Sequence, residues 1–189
     1  MKYFNYELIS AANNWIKQDK QEFSQAEKRL EAALRKYQRE LENLKTRVSQ
    51  PAWRFFRDGF GRHSLHDGRL LSLRTGDGLD YHADGENPFR LNTQRTSADL
   101  EFLNFEQDSH YLFNLKGVNR LRCDIFTEDN RHAKSIGDLY IYELTAADKD
   151  QLRLGFLFAS GATIIVQFRR LVFRKRRIER KYVPGEMYS

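Results

Sequence analysis

Apolar residues recur at steps of three or four between residues 19 and 48: Phe23, Ala26, Leu30, Leu34, Tyr37, Leu41, Leu44 and Val48. That spacing places them on one face of a helix. The opposite face is Lys, Arg, Glu and Gln, with Glu31 and Arg35 at i,i+4 spacing. No Gly or Pro interrupts the run, so the pattern predicts one helix over 19–48, roughly 45 Å long at about 1.5 Å per residue. Pro51, after Ser49 and Gln50, is read as its stop. A shorter helix is expected over 5–17, around Leu8, Ile9, Ala12, Trp15 and Ile16. The long stripe drifts from a 3.5 toward a 3.6 repeat, which favours packing on a protein surface over a long supercoil. A helical hairpin that pairs two copies of the chain is the alternative, because periodicity alone does not choose between them.

Beyond Pro51 the period changes. Trp53, Phe55, Phe56 and Phe60 predict a short aromatic helix ending at Gly59 or Gly61. Alternation and turn residues then predict a strand over 65–75, a turn at Gly76, Asp77 and Gly78, and a short strand over 79–82. Residues 83–97 are polar, contain Pro88 and read as a loop. A strand is expected over 98–105. Tyr111, Phe113 and Leu115 alternate, as do Leu121, Cys123 and Ile125 after Gly117, which predicts a long bent strand or a hairpin. A strand over 136–144 ends at Asp148, Lys149 and Asp150. A final hairpin joins 152–158 to 162–173 through Ala159, Ser160 and Gly161. In its return strand Ile164, Val166 and Phe168 share one face, and the apolar set then switches parity to Leu171 and Phe173. A period of two cannot switch without a bulge or bend, here placed at Arg169 and Arg170.

The expected class is therefore α+β: a long N-terminal amphipathic helix packed on, or projecting from, a mainly antiparallel β-sheet or partly open barrel. The division expected is a helical segment over 1–50, a β-rich domain over 51–175 and a basic tail over 176–189. At 189 residues the chain can bury a core without staples. Its single cysteine, Cys123, allows no internal disulfide and is expected to be a buried structural residue beside Leu121 and Ile125. Asn5, Glu7, Asn13 and Asn14 break any apolar leader, and no apolar run approaches the roughly 20 residues a bilayer requires, so a cytoplasmic, non-membrane protein is expected.

Charge changes the picture at one place. Residues 169–189 carry Arg169, Arg170, Arg174, Lys175, Arg176, Arg177, Arg180 and Lys181 against two acids. That excess accounts for the whole net charge of +6, and the preceding residues are balanced. A concentrated positive field attracts anionic partners. Three uses fit it: guarding an exposed strand edge against aggregation, docking an acidic protein, or neutralising phosphates of a nucleic acid with Phe173 and Tyr182 available to stack.

Other candidate chemistry is sparse. His63, His66 and Asp67, in the run HSLHD, could ligate a metal or form part of a His–Asp hydrolase site, or could simply open a strand. Asp77, Asp80, His82 and Asp84 could hold a cation, or form a solvated turn. No G-x-S-x-G elbow, phosphate loop or dinucleotide fingerprint occurs, so neither a cofactor nor an enzymatic activity is expected.

The segment from Ser64 through Leu65, His66, Asp67 and Gly68 to Leu73 follows an aromatic helix. The chain closes on an F-x-F-x-S-G-A-T-I-x-V-x-F hairpin from Phe156 to Phe168. Together these resemble a group of uncharacterised bacterial domains, some of which belong to polymorphic toxin–immunity systems. The resemblance covers about residues 51–175 and implies no catalytic residue. It implies no established activity. The first expectation is a non-enzymatic protein-interaction module, immunity-like in type, that binds a protein through its β surface and basic edge. The expected partner is another protein, acidic in character. Nucleic acid bound by the basic strand and tail, and a metal-dependent hydrolase built on the His–Asp segment, are the alternatives.

Overall fold

The computed structural model describes residues 1–13, 20–59, 64–77, 79–81, 89–91, 95–124 and 136–178. Three helices come first: α1 (Tyr6–Asn13), α2 (Lys20–Asn43) and α3 (Gln50–Arg57). The Asn5 side chain caps α1 by accepting from Leu8 N–H at 2.8 Å. The helix predicted over 19–48 is shorter than expected. It ends at Asn43, residues 44–47 form turns, and Pro51 lies inside the first turn of a new helix whose N-cap is Ser49. Proline suits that position because its missing N–H would have no intrahelical partner there.

Ten strands follow: β1 (Arg69–Gly76), β2 (Leu79–Tyr81), β3 (Phe89–Leu91), β4 (Ser97–Leu103), β5 (Ser109–Lys116), β6 (Arg120–Asp124), β7 (Leu139–Ala146), β8 (Leu152–Phe158), β9 (Thr163–Phe168) and β10 (Arg170–Arg177). They build two four-stranded antiparallel sheets, in the orders β1-β4-β5-β10 and β6-β9-β8-β7, and a small β2-β3 hairpin. This corrects the expected architecture. The chain is α+β with antiparallel strands, but it does not lay one long helix on one sheet or open barrel. Among the described residues it has three helices, two separate four-stranded sheets and the β2-β3 hairpin. Two local pairings also differ. β1 pairs with β4 and not with β2, and part of the stretch read as a loop is β3, the partner of β2.

The parity switch at Arg169 has a plain cause. β9 belongs to the second sheet and β10 to the first, so the chain leaves one sheet for the other there. The same happens between β5 and β6, at Gly117. The two transitions are neighbours, with Arg169 N–H donating to Lys116 O at 3.0 Å and Asn119 N–H to Gln167 O at 3.1 Å. A second corner joins β7 to the residues before β1. Asp67 N–H donates to Leu139 O at 2.8 Å, and Leu139 N–H to Gly68 O at 2.7 Å. A Cβ on Gly68 would lie 2.7 Å from Leu103 O and 2.9 Å from Leu65 O, which only glycine avoids.

The core lies between the sheets. Phe102 of β4 and Phe113 of β5 meet Phe156 of β8 with ring centroids 4.7 and 5.6 Å apart. α3 enters one end of this layer, where Phe55 stacks on Tyr142 at 5.1 Å and meets Phe173 at 4.7 Å. α2 covers β7. Its apolar face contributes Tyr37 and Leu41 to the core, and Tyr37 Oη accepts from Leu144 N–H at 3.2 Å. The N-terminal residues close the far side, where the buried Glu143 carboxylate accepts the backbone N–H groups of Lys2 and Tyr3. Among the described residues no helix is long and apolar enough to cross a membrane.

Candidate functional site

Six of the eight cations singled out from the sequence are described, five on β10, an outer strand of the first sheet, and the sixth, Arg169, just before it. β10 pairs with β5 in register from Arg170 opposite Lys116 to Arg177 opposite Ser109. Alternation sends Leu171 and Phe173 into the core layer, where Phe173 packs on Phe55 and Phe113. Lys175 follows on that side, its ammonium 5.2 Å from the Tyr111 ring centroid. Arg170, Arg174 and Arg176 occupy the outer face with Val172. Arg169, Arg170, Arg174, Lys175, Arg176 and Arg177 are all exposed, and none of them makes an ion pair with a carboxylate among the described residues. Arg180 and Lys181 lie outside the described residues.

The backbone of β10 matters as much as its charge. Ile178 N–H donates to Asp108 O at 2.7 Å, which continues the register of the pair. In an antiparallel ladder, residues of that parity bond to the neighbour and those between turn their N–H and C=O groups away. Arg170, Val172, Arg174 and Arg176 therefore bond to β5. Leu171, Phe173, Lys175 and Arg177 turn theirs to the other edge, where no strand pairs with β10 among the described residues; Leu171 there is buried, and Lys175 and Arg177 are exposed. One outer edge of the second sheet, β7, is treated differently. On β7, Leu144 N–H is taken by the Tyr37 hydroxyl and Ala146 N–H by the Glu40 carboxylate at 2.9 Å, so α2 satisfies these two outward donors.

A concavity of about 670 Å³ lies along β10. Arg174, Lys175 and Arg176 line it together with Phe173 and with Pro51 from the start of α3. Glu101, His110 and Leu112 of the neighbouring strands complete it. Glu101 is ion-paired to Arg74. His110, which the register sets beside Arg176, has its Nε2 3.6 Å from Glu101 Oε2, and that nitrogen makes no hydrogen bond. Sequence reasoning missed Glu101, His110, Leu112 and Pro51 as partners of the arginines. Alternation in β5 sets the face of His110 and Leu112, but the strand beside them is fixed only by the sheet order. At the far end of β10, hydrogen bonds from Asn104 and Ser109 and the nearby charges of Lys175 and Arg177 hold the Asp108 carboxyl below its ordinary pKa.

The remaining candidates do not converge. His66 Nδ1 lies 2.9 Å from Asp67 Oδ2. Among the described residues no group of three potential ligands surrounds them or occurs elsewhere, and His63 lies outside those residues. Leu65 is buried beneath the pair, and Asp67 holds a φ of 59° in the turn that stitches β1 to β7. Asp77 follows β1 and Asp80 lies in β2, while His82 and Asp84 fall outside the described residues. Cys123, expected to be buried, is exposed. β6 is an edge strand, so its core-side positions lie at the margin of the layer. Partial burial and the adjacent Asp124 hold its thiol above the ordinary pKa, which disfavours the nucleophilic thiolate.

Comparison with protein families, with curated proteins and with solved structures finds no match to this chain.

Proposed function

We propose that this protein is a non-enzymatic interaction module that docks an acidic protein on the β10 rim. The observation that carries the reading is that Arg170, Arg174, Lys175, Arg176 and Arg177 share one open strand with no carboxylate paired to them among the described residues. Unpaired cations gathered on one edge give long-range attraction and orient an anionic partner. A protein fits better than a nucleic acid, because Phe173, the aromatic available on β10 for stacking on bases, is engaged with Phe55, Phe113 and Tyr111. An immunity-type role, with a toxin as the partner, is supported by the resemblance of the Ser64–Leu73 and Phe156–Phe168 segments.

The test is capture from the native host with the wild type and with R170E/R174E/R176E. The expected result is a stoichiometric acidic protein held by the wild type at low ionic strength, lost in high salt and lost by the variant. Equal capture by both proteins, or retention of nucleic acid alone, would overturn the proposal.

A further inference from the structure

The open edge of β10 carries more information than its charge. Phe173, Lys175 and Arg177 direct their backbone N–H and C=O groups away from β5, with no strand beside them among the described residues, whereas on β7 the N–H groups of Leu144 and Ala146 are taken by Tyr37 and Glu40 of α2. Unsatisfied ladder groups on an exposed edge are a template for another strand. A second copy of the same strand is a poor occupant, since its arginines would be set against these. An extended segment carrying carboxylates is the complementary one.

Resting on the proposal of an acidic partner, we infer that the partner contributes an extended segment that adds to the first sheet as a fifth strand beside β10. Its sequence alternates acidic with apolar residues. In such an addition main-chain hydrogen bonds give affinity, and alternate side chains give specificity. On the outer face, partner side chains stand beside Arg170, Arg174 and Arg176, and carboxylates are matched there. On the other face an apolar side chain is matched beside Phe173 and Pro51, before Lys175 and Arg177 continue that side.

Synthetic peptides test this on the unaltered protein, so no variant has to fold. One peptide alternates Glu and Val; a second has the same composition with its Glu residues in one block. Two further versions of the first carry backbone N-methyl groups, either on the amides facing β10 or on the intervening ones. Binding is read by fluorescence anisotropy at low ionic strength, with a single-stranded oligonucleotide of equal charge alongside. The alternating peptide is expected to bind about tenfold or more tightly than the block peptide, a step of roughly 1.4 kcal/mol. Methylation of one amide set should abolish that advantage, and methylation of the other should leave it. Equal binding of the alternating and block peptides would overturn strand addition while leaving the acidic-partner reading standing. Failure of both peptides, or tighter binding of the oligonucleotide, would overturn both.

Discussion

Gly117 and Arg169 meet at the corner where two strands pass between the sheets: a Cβ on Gly117 would lie 3.2 Å from Cβ, Cγ and Cδ of Arg169. Gly117 also has a φ of +64°, which an L side chain adopts only with strain. Gly117→Ala is therefore expected to cost about 1–3 kcal/mol, combining left-handed strain with crowding of Arg169. Urea unfolding should show a lower midpoint with an unchanged slope. An unaltered midpoint would mean that the corner relaxes freely.

Glu40 gathers three partners at the α2–β7 seam: the Lys2 ammonium, the Tyr3 hydroxyl and Ala146 N–H. Burial opposes its charge, but those hydrogen bonds outweigh it and hold its carboxyl below the ordinary value of 4.5. A lowered folded pKa contributes stability that is present above 4.5 and is lost as the pH falls through the folded value. Glu40→Ala should cost about 2–3 kcal/mol at neutral pH, since it strips acceptors from a partly buried N–H and a hydroxyl. Glu40→Gln should flatten the acid limb of a stability-against-pH curve. A limb as steep as that of the wild type would count against this assignment.

Phe55 joins the helix to both sheets, with Tyr111 at 5.4 Å and Phe113 at 5.7 Å in addition to Tyr142 and Phe173. Phe55→Ala leaves a void among rings that cannot all move in, and it is expected to cost about 3–5 kcal/mol. Thermal unfolding followed by near-ultraviolet circular dichroism would report both the lowered Tm and the lost aromatic order.

The rim arginines should behave in the opposite way. Arg174 and Arg176 are exposed and make no ion pair among the described residues. Replacing either with Glu should change folding stability by no more than about 0.5 kcal/mol. The same replacements should lower the affinity for an acidic partner and its salt dependence together. A variant that unfolds would show these residues to be structural.

Much of this fold was legible in the chain. The α2 stripe was readable because six apolar positions, from Phe23 to Leu41, keep one helical face, and the β8–β9 hairpin because Gly161 at φ +83° marks its turn between alternating runs. The break at Arg169 was visible as a change of parity. What local pattern could not supply was partnership. Nothing in residues 65–82 says that β1 prefers β4, some twenty positions farther on, to the adjacent β2. Nor does anything say that one helical stripe stops at Asn43 and hands its role to α3. The rim was legible as composition. Its concavity was not, because Glu101, His110 and Pro51 come from three other elements and are assembled only by the sheet order.

The paired crossings at Gly117 and Arg169 bear on how this chain matures. The first sheet lacks its outer member until β10 has been made, and the second lacks β9 and β8, all of them late in the order of synthesis. Phe102 of β4 and Phe113 of β5 thus precede in the chain the β8 ring, Phe156, on which both pack. Both sheets are therefore completed by the same stretch, since a single continuous ribbon from Leu152 to Arg177 supplies strands to each.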